Sequence, residues 1–107
     1  MGNLETGGGE TNMRHEKRLA LNAMRMTTRA LTHAHLKERL HLPQWYGNNL
    51  DALNDCLGDI GEPTQIILRF APQLEASLGD YGAKLISVLQ QAAEQNENLR
   101  VTLKTWI

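Results

Sequence analysis

The sequence predicts an α/β fold, in which a three-stranded parallel sheet carries helices packed on it. Two observations predict it: three short segments with strand character are spread along the 107 residues, and helical segments separate every pair of them. Hairpins are therefore excluded and crossover connections are required, because strands joined through a helix cannot pair across a tight turn. Right-handed crossovers make the strands parallel, so the predicted order along the chain is β-α-α-β-(α)-α-β.

The first strand and the first helix come early in the chain. RLALNA (18–23) alternates leucine and alanine with more polar neighbours, the pattern of a short strand. MTTRALTHAHLKERLHL (26–42) has helical spacing, with Thr27 or Thr28 as its N-cap, and Pro43 ends it. Its predicted apolar stripe is formed by Leu31, His35, Leu36 and Leu40.

A second helix and the central strand follow. LDALNDCLGDI (50–60) is predicted to be a short helix with Asn48 as its N-cap, closed by Gly61 and Pro63. QIILRF (65–70) is an almost continuous apolar run. Such a run favours a central strand that is buried on both faces.

The last third of the chain adds two helices and a strand. PQLEASLGDYG (72–82) predicts a short helix with a break at Gly79 and Gly82. AKLISVLQQAAEQ (83–95) has strong helical spacing of its apolar residues. LRVTLKTW (99–106) alternates and predicts the last strand.

Composition excludes several classes of function. The chain has 11 Lys and Arg against 12 Asp and Glu, a formal net charge of −1. This balance gives no general argument for binding nucleic acid or membranes, and neither is expected as a direct partner. Cys56 is the single cysteine, so a disulfide within the chain and a cysteine-rich zinc site are both excluded. No apolar run approaches the roughly 18 residues that are needed to span a bilayer.

The chain is predicted to contain one domain. Residues 1–13 are polar and glycine-rich, and we predict a disordered tail there because such a segment buries too little surface to offset its ordering entropy. The domain is predicted to cover residues 14–107. The start lacks the apolar core of a signal peptide, so we expect a cytoplasmic protein.

Charge is distributed unevenly within the near-neutral total. From Leu40 to Leu68 there is no Lys or Arg. At about 100° per residue, Asp51, Asp55 and Asp59 lie within about 80° of one another on the second helix, opposite its apolar side. A solvated helix face is one explanation. The other is a cationic partner, since like charges four residues apart destabilise a helix and Asp59 opposes the dipole at its C-terminus.

Two aromatic residues precede this acidic helix. Trp45 and Tyr46 are of the types most enriched at binding hot spots, because each buries a large rigid area. Each ring could instead pack under the joint between the two helices, and Trp45 is expected to be the more exposed. Gly47 is expected to adopt a backbone conformation that is closed to other residues.

The segment LPQWYGNNLDALNDCLGDI (42–60) resembles the hallmark of the barstar family of intracellular ribonuclease inhibitors: a proline, two aromatics, glycine, then Asn-Leu-Asp-Ala-Leu and a further Asp-Cys-Leu. The resemblance is most specific over 43–57, and the order of strands and helices extends it from Arg18 to Leu103. It implies a two-layer fold and a monomer that acts in a 1:1 complex without a cofactor. The loop and the acidic helix would plug the basic active site of a small secreted, barnase-like bacterial ribonuclease.

The resemblance also assigns the residues that bind the partner. Asp55 is the implied anchor, which takes the place of a substrate phosphate among the basic groups of the nuclease, and Asp51 is a second contact. The chain departs from the family pattern at Asn54, at Asp59–Ile60 and at Gln91, where relatives carry aromatics or a distal acid, and these departures leave the identity of the partner open. With Asp59 added from the charge pattern, the predicted partner-binding surface is Trp45, Asn49, Leu50, Asp51, Asn54, Asp55, Gly58 and Asp59.

Other functions stay as alternatives to ribonuclease inhibition. One is a module of the same fold that binds a non-nuclease partner with a basic patch, and another is an RNA-handling protein that uses the basic stretch 14–39. An enzyme is not expected, because Cys56 falls on the buried side of its helix and Asp51 and Asp55 lie on a convex surface without a cleft. The four histidines are not spaced as metal ligands, so no metal site is expected.

Overall fold

The strands and helices of the computed structural model, which describes residues 16–106, confirm the α/β class. The predicted tail (1–13) and residues 14, 15 and 107 lie outside the described part. A short 3₁₀ turn, Ala23–Arg25, follows the first strand. The elements are β1 (Lys17–Asn22), α1 (Arg29–Arg39), α2 (Leu50–Gly58), β2 (Thr64–Arg69), α3 (Ala71–Leu78), α4 (Asp80–Gln95) and β3 (Leu99–Leu103).

The three strands form one parallel sheet in the order β1-β2-β3. The predicted central position of β2 is confirmed, but its predicted burial on both faces is wrong. Thr64, Ile66 and Leu68 are fully buried, whereas the alternate residues are only half-buried. On that second face Gln65 donates a hydrogen bond from Nε2 to Thr102 Oγ1 at 2.8 Å, so polar side chains cover it in place of helices.

Every helix contributes leucine side chains to one hydrophobic core against the sheet. Full burial of a leucine contributes roughly 1.5–3 kcal/mol, so these side chains hold the helices in one layer against the strands. This is the two-layer arrangement that the resemblance implies. The fully buried helical leucines are Leu36, Leu53, Leu57, Leu74, Leu85 and Leu89.

The first helix has the predicted N-cap, because Thr28 Oγ1 accepts a hydrogen bond from Leu31 N–H at 3.1 Å. Its predicted apolar stripe is only partly confirmed: Leu36 is buried and Leu40 is half-buried against the core. Leu31 is exposed, and the other buried residues of α1 are Thr32 and His33. These polar side chains can be buried because hydrogen bonds satisfy them: Thr32 Oγ1 donates to Thr28 O at 2.7 Å, and both ring nitrogens of His33 have partners.

Two helices follow β2, as predicted, but the chain breaks between them only at Gly79, whose φ is 60°. Gly82, predicted as part of the break, lies buried inside α4. A Cβ on Gly82 would lie 2.5 Å from the carbonyl oxygen of Leu74, which belongs to the backbone of α3. Gly82 therefore allows the close approach of α3 and α4 and does not interrupt a helix.

The last strand is shorter than predicted and ends at Leu103. The chain beyond it still bonds to the end of β2, because Lys104 N–H donates to Leu68 O at 2.9 Å and Phe70 N–H donates to Trp106 O at 3.0 Å. Within residues 16–106, no helix combines the length and the apolar character that crossing a membrane requires.

Candidate functional site

The acidic helix α2 begins at Leu50, as predicted, but ends at Gly58, two residues earlier, and its N-cap differs from the prediction by one residue. Its N-cap is Asn49, whose Oδ1 accepts a hydrogen bond from Ala52 N–H at 2.8 Å. Asn48, the predicted N-cap, has a φ of 56° and lies in the left-handed region. The expectation for Gly47 is also wrong, because Gly47 has no positive φ; the left-handed residues between α1 and α2 are His41 and Asn48.

The helix docks through its apolar side and displays its carboxylates. Leu53, Cys56 and Leu57 are buried, as the projection predicts. Five residues along this side of the chain are exposed: Asp51, Asn54, Asp55, Gly58 and Asp59. In the part of the chain that the structure describes, the ion pairs are Lys17–Glu62 at 3.2 Å and Arg100–Glu16 at 2.7 Å. Asp51 and Asp55 of α2 and Asp59 directly after it therefore form no ion pair with a cation within residues 16–106.

The two aromatic residues of the loop differ in burial. Trp45 is 71% exposed, whereas Tyr46 is 4% exposed and belongs to the hydrophobic core. Tyr46 Oη lies 2.6 Å from His33 Nδ1, and His33 Nε2 lies 2.6 Å from Tyr81 Oη. His33, a residue of α1, thus links the loop to α4. The loop that carries Trp45 is therefore held against the helices through Tyr46.

The histidine pair on α1 is held in its neutral form. Burial lowers the pKa of His33, and the charge of Arg29 lowers it further. Burial and then Arg39 lower the pKa of His35, whose Nε2 accepts a hydrogen bond from Asn22 N–H at 3.0 Å. A neutral His33 carries one N–H, so it donates to one tyrosine and accepts from the other.

Acidification is expected to destabilise the fold through these two histidines. Their pKa values are lower in the folded chain than the unfolded value of about 6.5, so they contribute stability above that pH, which is lost as the pH falls through the folded-state values. Urea unfolding should show a free energy of unfolding that decreases as the pH falls below the unfolded-state pKa of histidine, about 6.5. The decrease should be smaller in His35→Gln, whose amide oxygen can still accept from Asn22 N–H. An equal decrease in the variant would contradict this account of His35.

The predicted surface residues line three depressions. Trp45 and Asp59 line the first, Asn49, Leu50 and Asp51 the second, and Asn54, Asp55, Gly58 and again Asp59 the third. The first is a cleft of about 380 Å³ that Cys56 also borders. Asp51 lies beside Arg29, Tyr81 and Lys84 in a shallow cavity, without an ion pair to either cation. Asn49 is exposed but its side chain caps α2, and Leu50 is half-buried against the core.

Asp55 lies in an acidic cleft that sequence reasoning did not foresee. Asp55 and Asp59 line it from α2, and Glu94 and Glu97 line it from the end of α4 and the residues after it. Gln91, which the resemblance aligns with a distal acid, is exposed but does not line this cleft. The carboxylates of Glu94 and Glu97 therefore extend the negative potential of α2 beyond the predicted residues.

Asn96 holds the two sides of this cleft together. Its Nδ2 donates hydrogen bonds to Leu57 O and to Ile60 O, both at 3.0 Å, and so satisfies carbonyl groups at the end of α2. The sequence carries no local signal for this contact, because the partners lie 39 and 36 residues apart from Asn96.

Nothing in this arrangement supports catalysis by Cys56. The thiol is buried, and burial, with Asp59 and Asp55 nearby, raises its pKa, which is the opposite of what a nucleophilic thiolate requires. The described residues contain no group of three or more His, Cys, Asp or Glu that could hold a metal ion. The surface is equipped for binding by charge and by an aromatic ring.

Comparison with known proteins agrees with this arrangement. The family model described as Barstar (barnase inhibitor) matches residues 16–106. A protein of Bacillus subtilis (strain 168) named "Putative ribonuclease inhibitor YrdF" is 39% identical over 64 residues, which are 59% of this chain and 70% of the relative. The match thus reaches well beyond the acidic segment 42–60. This chain belongs to the Barstar family.

Proposed function

We propose that this chain is a stoichiometric ribonuclease inhibitor. Membership of the Barstar family and the name of the Bacillus relative support ribonuclease inhibition in general. We further propose that the target is a small, secreted, barnase-like ribonuclease with a basic active site, bound in the cytoplasm by one monomer in a 1:1 complex. The observation that carries the proposal is the row of exposed carboxylates on α2, unpaired within residues 16–106.

The electrostatics of α2 fit a ribonuclease cleft. Such a cleft is basic because it binds the phosphodiester backbone of RNA. The carboxylates of Asp51, Asp55 and Asp59 follow one another at steps of four residues, which is about 6 Å of helical rise. They form a short row of negative charges that attracts a basic cleft over a distance and pairs with its cations once water is excluded.

Each proposed contact has a separate role. Asp55 is the anchor because it lies in the middle of the row and lines the acidic cleft. Trp45 covers the neighbouring rim of the contact and excludes water there. Gly58 leaves α2 open to close approach, since no atom lies within 4 Å of the position that its Cβ would take. Asn49, Leu50 and Asn54 complete the surface at the start and in the middle of the helix.

Inhibition by occlusion requires no turnover. The Barstar family is a family of inhibitors, so this chain is not an enzyme, in agreement with the sequence-based expectation. The carboxylates of Asp51, Asp55 and Asp59 are exposed, so they can approach the cationic groups of a partner. The inhibitor therefore acts by filling the space that RNA would occupy.

The proposal is tested by titrating the full chain into small basic bacterial ribonucleases while the cleavage of a fluorescent RNA is followed. Cleavage by the cognate enzyme should stop at one chain per enzyme, because a tight complex forms stoichiometrically. A control without nuclease measures whether the chain binds the RNA directly. The proposal would be overturned if cleavage stops only because the chain binds the RNA directly. It would also be overturned if the chain binds a basic protein that is not a nuclease and inhibits no ribonuclease.

A further inference from the structure

A cluster of arginines lies at the carboxyl ends of β1 and β2. Arg25 belongs to the 3₁₀ turn after β1, Arg39 ends α1 and Arg69 ends β2, and all three line one depression of about 390 Å³. In open α/β sheets, the crevice beyond the carboxyl ends of parallel strands is where ligands bind. The other residues that line the depression are Ala20, Asn22, His35 and Glu38, so it shares none with the acidic surface of α2.

The depression carries an excess of positive charge. With His35 neutral, three arginines against Glu38 leave a local charge of three minus one, or +2. Within residues 16–106 none of the three guanidinium groups forms an ion pair with an acidic side chain. Guanidinium groups gathered in one depression repel one another, and a bound anion would relieve that repulsion. The same field contributes to the lowered pKa of His35, after burial, through Arg39 and Arg25.

Two of the lining side chains are fixed by the outer edge of β1. Arg39 donates a hydrogen bond from Nε to Ala20 O at 2.9 Å. This bond anchors the guanidinium group and does not use its terminal N–H groups. His35 Nε2 accepts from Asn22 N–H at 3.0 Å, so a neutral His35 carries its proton on Nδ1 as a donor. These groups are therefore held in position before any ligand arrives, which lowers the cost of binding.

We propose that this depression binds a phosphate group with two negative charges, either inorganic phosphate or the terminal phosphate of a nucleotide, through Arg25, Arg39 and Arg69. A dianion balances the local charge of +2. The planar forks of arginine match the oxygens of phosphate and bind them in pairs. The proposed site is independent of ribonuclease inhibition, because it uses no residue of the partner-binding surface.

The experiment is a titration of the full chain with inorganic phosphate at about pH 7.5 and constant ionic strength, followed by ¹H–¹⁵N NMR. Saturable shifts are expected for the amides of Asn22, Arg25 and Arg69, which surround the depression. A nucleoside 5′-monophosphate and the matching nucleoside form a second arm. Tighter binding of the nucleotide than of phosphate identifies a nucleotide as the ligand, and equal binding identifies free phosphate. Shifts that stay linear through the titration would overturn the proposal.

Matched variants distinguish phosphate binding in this depression from a general attraction of phosphate to any exposed arginine. Arg69→Gln and Arg25→Gln should each weaken phosphate binding about tenfold or more, because each removes one charged fork. Arg18→Gln removes an exposed arginine of β1 outside the depression and should leave the affinity within about twofold. Arg25 lies on an exposed turn, so Arg25→Gln is expected to fold. It therefore still tests the proposal if Arg69→Gln fails to fold. Equal affinities of Arg25→Gln and Arg18→Gln would sink the proposal.

Discussion

Replacing Asp55 by alanine is expected to weaken ribonuclease inhibition about a hundredfold or more, because it leaves the cations of the partner buried without a counter-charge. Asp55 lies in the middle of the carboxylate row, four residues from both Asp51 and Asp59, and lines the acidic cleft. The measurement is the inhibition constant for the cognate ribonuclease, determined at a fixed salt concentration because screening changes the attraction.

The loss in Asp55→Ala should not come from unfolding. Asp51 and Asp59 lie four residues away on either side, so removing Asp55 relieves like-charge repulsion, and α2 should be equally or slightly more stable. Thermal unfolding of the variant checks this point. A helix that loses function while it gains stability is expected of a surface selected for its partner.

Two further variants control for charge and shape. Glu75→Ala removes an exposed carboxylate of α3, outside the proposed surface, and should leave inhibition nearly unchanged. Asp55→Asn keeps the shape of the side chain and should lose nearly as much inhibition as Asp55→Ala, because the charge is what pairs with the nuclease. Inhibition by Asp55→Ala that equals inhibition by Glu75→Ala would remove Asp55 from the binding surface.

Trp45→Ala is expected to weaken inhibition about thirtyfold, equivalent to about 2 kcal/mol, which is typical of an aromatic anchor at a protein interface. The ring is 71% exposed in the free chain and lies on a loop whose next residue, Tyr46, is fixed by His33. It is therefore available to a partner at little cost in conformational entropy. The inhibition constant and the dissociation rate of the complex measure the effect.

The chain offers a closely matched control for Trp45. Trp106 is 69% exposed but follows β3 and lies outside the proposed surface, so Trp106→Ala removes the same type of side chain at the same exposure. We expect Trp106→Ala to inhibit like the unaltered chain. If the two variants lose inhibition equally, the loop is not part of the interface and the proposed role of Trp45 fails.

The acidic helix could be recognised from sequence because its evidence is local. The apolar residues Leu53, Cys56 and Leu57 and the exposed carboxylates recur at the helical period, and a period depends only on backbone geometry. The same reasoning was incomplete for α1, where Leu36 is buried as predicted but the buried residues Thr32 and His33 are polar. Their burial depends on hydrogen bonds, and those of His33 reach tyrosines that lie 13 and 48 residues further along the chain.

The sequence by itself determined the order of strands and helices, the parallel sheet and the carboxylate row on α2, because periodicity and spacing act over a few residues. Trp45 is the more exposed ring of the loop, as the sequence predicts, but only the tertiary structure decided how Tyr46 is buried, since its hydroxyl contacts His33 of α1. It also decided that Glu94 lies beside Asp55 and that Arg39 lies beside Arg69. Residues far apart in sequence meet where helices pack on a sheet, and no local pattern encodes such a meeting.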